Sequence, residues 1–300
     1  MSIENIQLLG YLGPEGSFSH ICCAELTQLI PSISLKGFSS ISAIRQALNQ
    51  NELTFGLFPV ENSLGGSVPE SLDGLIKESG QLQVLLEWVL PIEHNLVCRS
   101  STKEIKEIRA HFQAFAQCEN YLQQNYPKAQ LKEFSSNSAA AESLAELNPE
   151  QQTTIAAISS SKAAKIYNLQ ILQKSINDSK DNCTRFWLVG KKENTPNNIQ
   201  NKQELTSLAF RIPQDKPGGL MKILSCLAER NINLSKIESR PTRGRLCEYT
   251  FFVDFVNPPQ WSNLKDEVLN EIKELSSYFC FLGSYSVWPL NDLRFISNQV

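Results

Sequence analysis

The first part of the chain alternates short apolar runs with runs of helical spacing. "IQLLGYLG", "ISLKGF", "TFGLFPV", "EIRAHF", "AQLKEF", "TTIAAIS" and "TRFWLVG" are rich in strand-forming residues and bounded by turn formers, so they read as strands. Phe18 to Leu29, Ser42 to Gln50, Val68 to Lys77, Gln113 to Gln124, Ser138 to Glu146 and Ser161 to Tyr167 read as helices. Strand and helix in alternation predict an α/β fold with parallel sheets. "LLEWVLPIEHNLVCR" reads as one long extended crossing between two such groups. Two groups joined in this way predict two lobes with a cleft between them.

The pattern breaks at "KKENTPNNIQNKQE", polar apart from Ile199 and a proline, which reads as an exposed linker over residues 191–204. Beyond it come "ELTSLAFRIP", a helix over Gly218 to Arg230, "NLSKIESRP", "RLCEYTFFVDF", a helix over Gln260 to Leu275, and "FCFLGSYSVW". That is βαββαβ, the ferredoxin-like order. The expected division is a two-lobed domain over residues 1–190, the linker, and a smaller domain over residues 205–290.

Charge narrows the function. The formal net charge is -3, from 28 basic and 31 acidic residues, with no basic run or acidic tail. That balance argues against a nucleic-acid binder working by phosphate neutralisation. No run reaches the ~18 apolar residues of a membrane helix. The start, "MSIENIQLLGYLGPEG", lacks a basic segment followed by an apolar one, so no signal peptide is expected. Cys22, Cys23, Cys98, Cys118, Cys183, Cys226, Cys247 and Cys280 form no CxxC pair and read as reduced thiols of a cytoplasmic protein. His20, Cys22 and Cys23 stand close enough in sequence to suggest a metal site. They lie on one helix without a partner pair, so a packed amphipathic helix is the better reading and no metal is expected.

Candidate chemistry collects where strands pass into helices. "GPEGSFSH" (13–20), "VENSLGGSVPE" (60–70), "FSSNSAAAE" (134–142) and "ISSSKAAK" (158–165) each offer Ser, Asn or Gly to a helix start. "SVPE" also reads as a capping box of Ser67 and Glu70, with Pro69 in the first turn. Such caps are common singly. Four facing one cleft would cradle a small dianion without a lysine cluster, because ligands of open α/β sheets bind beyond the carboxyl ends of the strands, where helix starts present free N–H groups. If "TRFWLVG" runs antiparallel to its neighbours, its first residues reach the same edge. Thr184 then offers a neutral hydroxyl and Arg185 a nearby charge. No GxSxG, HExxH, Walker A or GxGxxG motif is present. His94 and His111 stand where either a structural or a cleft role fits.

These stretches carry a resemblance. "YLGPEGSFSH", "PVENSLGGSV", "HFQAFAQC", "YNLQIL" and "NCTRFWLVG" follow in the order seen in prephenate dehydratases. "DKPGGLMKIL" and "NLSKIESRP" resemble an ACT domain, a ligand-sensing βαββαβ module. The likeness runs from about Leu8 to Pro289. It implies a catalytic domain similar to type II periplasmic binding proteins, no cofactor, and conversion of prephenate to phenylpyruvate, water and carbon dioxide in phenylalanine biosynthesis. It implies Thr184 as the catalytic residue, donating to the leaving hydroxyl. Glu61, Asn62, Ser63, His111, Gln113, Ser138, Arg185 and Phe186 would contact or orient substrate, and Gln117 belongs to the same helix-start motif. It implies feedback by phenylalanine at a subunit interface. That site would draw on Gly218, Gly219, Leu220 and Met221, on Asn233 and Leu234, and on Glu238, Ser239, Arg240 and Pro241. A homodimer or homotetramer is expected, and no fused chorismate mutase. Departures from the family pattern are Ala110 and Phe112 around the histidine, Asn168 after Tyr167, and Gly219 and Met221 in the first effector motif. Two other readings compete: arogenate dehydratase, with the same elimination on a related substrate, and a non-catalytic solute or amino-acid sensor on the same fold.

Overall fold

The computed structural model describes residues 7–30, 32–77, 81–100, 104–149, 151–196, 204–213, 217–242 and 248–288. Cys247 and Pro289, named above, lie outside them. In chain order the elements are β1 (Gln7–Leu12), α1 (Phe18–Leu29), β2 (Ile33–Phe38), α2 (Ile41–Asn49), β3 (Phe55–Asn62), β4 (Gly66–Ser67), α3 (Pro69–Lys77), β5 (Gln83–Pro91), β6 (Asn95–Cys98), β7 (Glu107–Ala110), α4 (Phe112–Gln117) and α5 (Glu119–Asn125). There follow β8 (Gln130–Glu133), α6 (Asn137–Glu142), β9 (Ile155–Ser159), α7 (Ser161–Ile166), β10 (Gln170–Gln173), β11 (Cys183–Gly190), β12 (Glu204–Arg211), α8 (Gly219–Ala228), β13 (Leu234–Pro241), β14 (Tyr249–Val256), α9 (Trp261–Glu274) and β15 (Tyr278–Trp288). The chain forms two compact units, Met1–Ser71 with Val89–Phe186, and Leu72–Trp88 with Trp187–Val300. Among the described residues, no helix is long and apolar enough to cross a membrane.

The first unit holds two groups of strands. In one, β1 runs parallel to both β2 and β3. Ser19, Cys22, Cys23 and Leu26 form the buried stripe of α1, at helical spacing. The second group has the order β10-β6-β9-β7-β8. Strand β9 is apolar almost throughout because both its faces are covered. Ile158 and Ala156 pack with Ile108, Ala114 and Leu122. Ile155 and Ala157 pack with Ala140, Leu144 and Ala164. Truncating a side chain such as Ile158 there would cost ~2–5 kcal/mol.

The sheets are mixed rather than parallel throughout. β7 is parallel to β8 and β9, whereas β6 is antiparallel to β9 and β10. The extended crossing is two strands, β5 and β6, broken over residues 92–94 after Pro91, which has no N–H to continue a ladder. The helix expected over Gln113 to Gln124 is also two, broken where Cys118 takes φ -125 and ψ 18. The capping box does not form as read. The helix begins at Pro69, one residue too late for Ser67 to be its N-cap, and Glu70 Oε1 instead accepts from the Ser42 N–H in the first turn of α2, at 3.2 Å.

In the second unit the order β13-β14-β12-β15 is the antiparallel ferredoxin-like arrangement. Helices α8 and α9 bury Ile223, Cys226, Leu227, Val268 and Ile272 against Leu208, Phe210, Val253 and Phe255 of the sheet. The end of β15 pairs in parallel with Leu86–Trp88 of β5.

Candidate active site

The four junctions singled out in the sequence surround one cavity of about 390 Å³ in the first unit. Gly16, Ser17 and Phe18 line it at the start of α1. Asn62, Gly65, Gly66 and Ser67 line it after β3, Ser136 to Ser138 at α6, and Ser160 at α7. Ser17, Ser136 and Ser160 are N-caps, accepting from His20, Ala139 and Ala163 N–H groups at 3.2, 3.0 and 3.0 Å. Their hydroxyl protons do further work. Ser17 donates to the Leu12 carbonyl and Ser160 to the Gly16 carbonyl, so the cap of α7 holds the turn before α1.

The first residues of β11 lie beside the ends of β3 and β5. Ser63 N–H donates to the Cys183 carbonyl at 2.9 Å, and Ile92 N–H to the Asn182 carbonyl at 2.8 Å. Thr184 and Phe186 consequently face the cavity. Alternation along a strand sends Arg185 to the other face, where its Nη1 meets Glu61 Oε2 at 2.7 Å. Neither Arg185 nor Glu61 lines the cavity. Ser63 is also turned away, its hydroxyl donating to the Asp181 carbonyl and accepting from Cys183 N–H. These three side chains therefore stand outside the cavity lining. Asn62, His111, Gln113, Ser138, Thr184 and Phe186 do stand around the cavity.

A chain of amides backs the Thr184 hydroxyl. The two N–H groups of Asn62 Nδ2 face three acceptors, Asn182 Oδ1 at 2.8 Å, the Cys183 carbonyl at 2.9 Å and Thr184 Oγ1 at 3.1 Å, so one N–H is shared between two of them. Asn62 Oδ1 accepts from the N–H groups of Leu64 and Gly65 and from Gln117 Nε2. A Cβ on Gly65 would sit 3.2 Å from Gln113 Nε2 and 3.3 Å from Asn62 Oδ1, so only glycine leaves both amides in place without a shift. Gln117 Oε1 accepts from Asn182 Nδ2 at 3.0 Å and lies 2.7 Å from His94 Nε2. Asn182 and His94 are both 2 % exposed.

Among the described residues, no Asp, Glu, Lys or Arg side chain lines the cavity; its ionisable lining groups are His94 and His111. Burial lowers the pKa of both, opposed at His94 by its hydrogen bond to Gln117 and at His111 by the Glu133 charge. His111 caps α4: its Nδ1 accepts from Gln113 N–H, while its own N–H donates to Asn137 Oδ1 at 2.9 Å. The cavity is thus a neutral, donor-rich space with apolar patches from Phe18 and Phe186.

Sequence reading passed over the structural roles of Asn182, Asn137 and Gln117. Asn182 begins the very stretch that carries Thr184, but its amide acts across 120 residues on Asn62, a link that no local pattern signals. His20 and the two cysteines of α1 do not cluster toward a metal: Cys22 and Cys23 are buried, and His20 stacks on Tyr11 while its Nδ1 accepts from Gly16 N–H.

The candidate effector residues lie in the second unit. Gly218, at φ 84, is the N-cap of α8, and Met221 is 67 % exposed. Asn233 and Leu234 follow the other end of α8, roughly 15 Å away along the helix axis. Arg240 pairs with Asp73 at 3.0 and 3.3 Å and with Glu238 at 3.3 Å, while Ser239 and Pro241 are exposed.

Comparison with known proteins decides what this geometry belongs to. The family model for prephenate dehydratase matches residues 9–194, and the ACT domain model matches residues 206–273. The chain belongs to the prephenate dehydratase family. It is accordingly an enzyme of the hydro-lyase class. The prephenate dehydratase of Lactococcus lactis subsp. lactis is 39% identical over 95% of this chain and 99% of that protein. That of Bacillus subtilis is 33% identical over 94% and 99%. Among solved structures, a prephenate dehydratase from Arthrobacter aurescens in complex with L-Phe superposes with a TM-score of 0.80, at 30% identity, covering 93% of this chain and 89% of that one.

Proposed function

We propose that this chain converts prephenate to phenylpyruvate by decarboxylative loss of water, and that phenylalanine restrains it through the C-terminal unit. In this reading residues 1–190 are the catalytic domain, 191–204 the linker and 205–290 the regulatory domain of a cytoplasmic homo-oligomer. The catalytic half rests on one observation above all. The Thr184 oxygen accepts from Asn62 in the wall of a cavity lined by no acidic or basic side chain.

A hydroxyl has a single proton. With its oxygen accepting from Asn62, Thr184 keeps that proton for a group in the cavity. It donates to the departing ring hydroxyl as the C–O bond breaks. The ring carboxylate leaves as carbon dioxide, and the electron pair of its C–C bond enters the ring, which becomes aromatic. The hydroxyl departs with the donated proton as water, and Thr184 regains a proton from water. Such an acid is weak, so the protein's contribution is position and a fixed donor at the site of developing charge. A cavity without cations also gives the departing carboxylate no ion pair to lose. Neutral donors from Ser, Asn and Gln and the first turn of α1 hold the dianion in place.

The regulatory half rests on the ACT domain and on the L-Phe complex of the Arthrobacter aurescens relative. We assign the effector site to Gly218–Met221, Asn233, Leu234 and Glu238–Pro241. The length of α8 separates the first group from Asn233 within one chain. One amino acid can touch both only if a second chain supplies one of them, which supports a site between subunits. Exposed Met221 and Ile237 lie on the elements concerned.

The test is phenylpyruvate formation by the purified chain from prephenate, with and without phenylalanine, and the parallel assay with arogenate. Turnover of prephenate suppressed by phenylalanine is expected. Turnover of arogenate alone would move the substrate. Turnover of neither, with tight prephenate binding, would replace the enzyme reading with a sensor. Prephenate turnover indifferent to phenylalanine, with no binding by calorimetry, would sink the regulatory half.

A further inference from the structure

His94 has no role in the reading above, yet it stands at one end of an amide chain whose direction fixes its own protonation state. Asn62 Oδ1 accepts from the backbone N–H groups of Leu64 at 3.1 Å and Gly65 at 2.8 Å. A backbone N–H cannot accept, so the Asn62 amide cannot be turned over. The Gln117 atom that approaches this oxygen at 3.2 Å must then be its NH2 group. Gln117 Oε1 consequently points to His94 Nε2 at 2.7 Å. That oxygen carries no proton, so Nε2 does. Nδ1 is left as a bare lone pair, buried and without a hydrogen-bond partner among the described residues.

The donations therefore run one way, from His94 to Gln117, from Gln117 to Asn62, and from Asn62 to Thr184. Direction matters at the last step. If Asn62 presented its oxygen to Thr184, the only proton of that hydroxyl would be held by the amide and lost to the substrate. The origin of the chain is firmly held. His94 is 2 % exposed, its N–H donates to Asn177 Oδ1 at 2.7 Å, its carbonyl accepts from Ile176 N–H at 2.8 Å, and Phe18 packs on its ring edge at 5.6 Å.

We propose that His94 is a positioning residue for the reaction: acting through Gln117 and Asn62, it keeps the Thr184 hydroxyl oriented as a donor into the cavity. This rests on the proposed donor role of Thr184.

The test measures kcat and KM for the full chain with His94→Leu, His94→Gln, Thr184→Val, and the double variant H94L/T184V. Losing one neutral buried donor should lower kcat roughly tenfold in His94→Leu, with KM changed less than kcat because the effect runs through the Thr184 hydroxyl. Glutamine can donate an N–H from near the Nε2 position, so His94→Gln should recover most of that loss. In the Thr184→Val background His94→Leu should cost nothing more, since its effect runs through the hydroxyl already removed. A loss that multiplies in full in the double variant, or His94→Gln as poor as His94→Leu, overturns the inference while leaving the Thr184 role intact. Wild-type turnover in Thr184→Val overturns both. If His94→Leu fails to fold by circular dichroism, Gln117→Met serves instead. It keeps the length of the side chain, adds no charge to the cavity that Gln117 lines, and cannot donate to Asn62 Oδ1. The same drop and the same absence of additivity with Thr184→Val are expected, and full additivity overturns the proposal.

Discussion

Replacing Thr184 by valine removes one hydroxyl and nearly nothing else. Valine keeps the shape and the β-branching that suit a strand. The Asn62 amide loses one of three acceptors but retains Asn182 Oδ1 at 2.8 Å and the Cys183 carbonyl at 2.9 Å. No buried donor is left unpaired, so the stability change should stay at ~1 kcal/mol or less. The catalytic change should be far larger. A donor placed where charge develops is typically worth ~10²–10³ in kcat. The assay is phenylpyruvate formation at saturating prephenate, with urea unfolding alongside. A fall in kcat by that factor with KM little changed would mean that the hydroxyl acts mainly in the transition state. A raised KM with kcat intact would make Thr184 a binding group and refute the donor argument. Thr184→Ser, which restores the hydroxyl, should restore most of the turnover.

Three further outcomes are expected. Asn62→Asp replaces an NH2 donor by a carboxylate oxygen facing Thr184, Asn182 and the Cys183 carbonyl; kcat should drop by at least ~10² and urea unfolding should show a loss of ~1–3 kcal/mol, and a well-folded, active variant would contradict the amide chain. Gly283 opposes Ser207 where the β12–β15 register shifts, at φ 148, with the Val84 backbone inside the radius a Cβ would need; Gly283→Ala should cost at least ~2 kcal/mol in unfolding free energy or prevent folding, and a wild-type urea midpoint would refute this. Burial lowers the pKa of His20, His94 and His111 from 6.5. The unfolded chain therefore binds more protons, and stability should fall as the pH drops through and below about 6.5. The urea midpoint should be lower at about pH 5.5 than at about pH 7.5, with a smaller drop in His94→Gln, and an equal drop there would exclude a contribution from His94.

What the sequence made legible follows from how local each signal is. The four corners of the cavity were readable because each is set by its own few residues: an apolar run ends, and at three of them a serine caps the next helix. Helix α1 and strand β2 fall on the expected residues for the same reason. The break at Cys118 was not readable, since the spacing from Gln113 to Gln124 runs on without a helix breaker. It sits beside Gln117, whose amide is drawn by Asn62, Asn182 and His94 from distant parts of the chain. Strand β10, "QILQ", has too short an apolar core to announce itself and forms by pairing with β6. The placement of Arg185 was readable in principle. The period of two that turns Thr184 and Phe186 to the cavity turns Arg185 away, and Glu61 precedes Asn62 by one residue with the same consequence.

The pairing of Arg185 with Glu61 on the far face bears on the chemistry as well as the fold. It keeps the cation nearest in sequence to Thr184 out of the cavity, and gives it a partner, so among the described residues no Asp, Glu, Lys or Arg side chain lines the cavity. A dianion in such a space is held by many neutral donors, each contributing ~0.5–1.5 kcal/mol and none indispensable to binding. Elimination imposes a different demand. The proton must reach one oxygen, and a hydroxyl acid has no charge to compensate for a wrong orientation. A site of this kind can therefore be tolerant in binding and exacting at one atom. That division explains why the capping serines around the cavity are braced only by nearby backbone groups, whereas Thr184 stands at the end of a chain of oriented amides anchored on backbone N–H groups and a buried histidine.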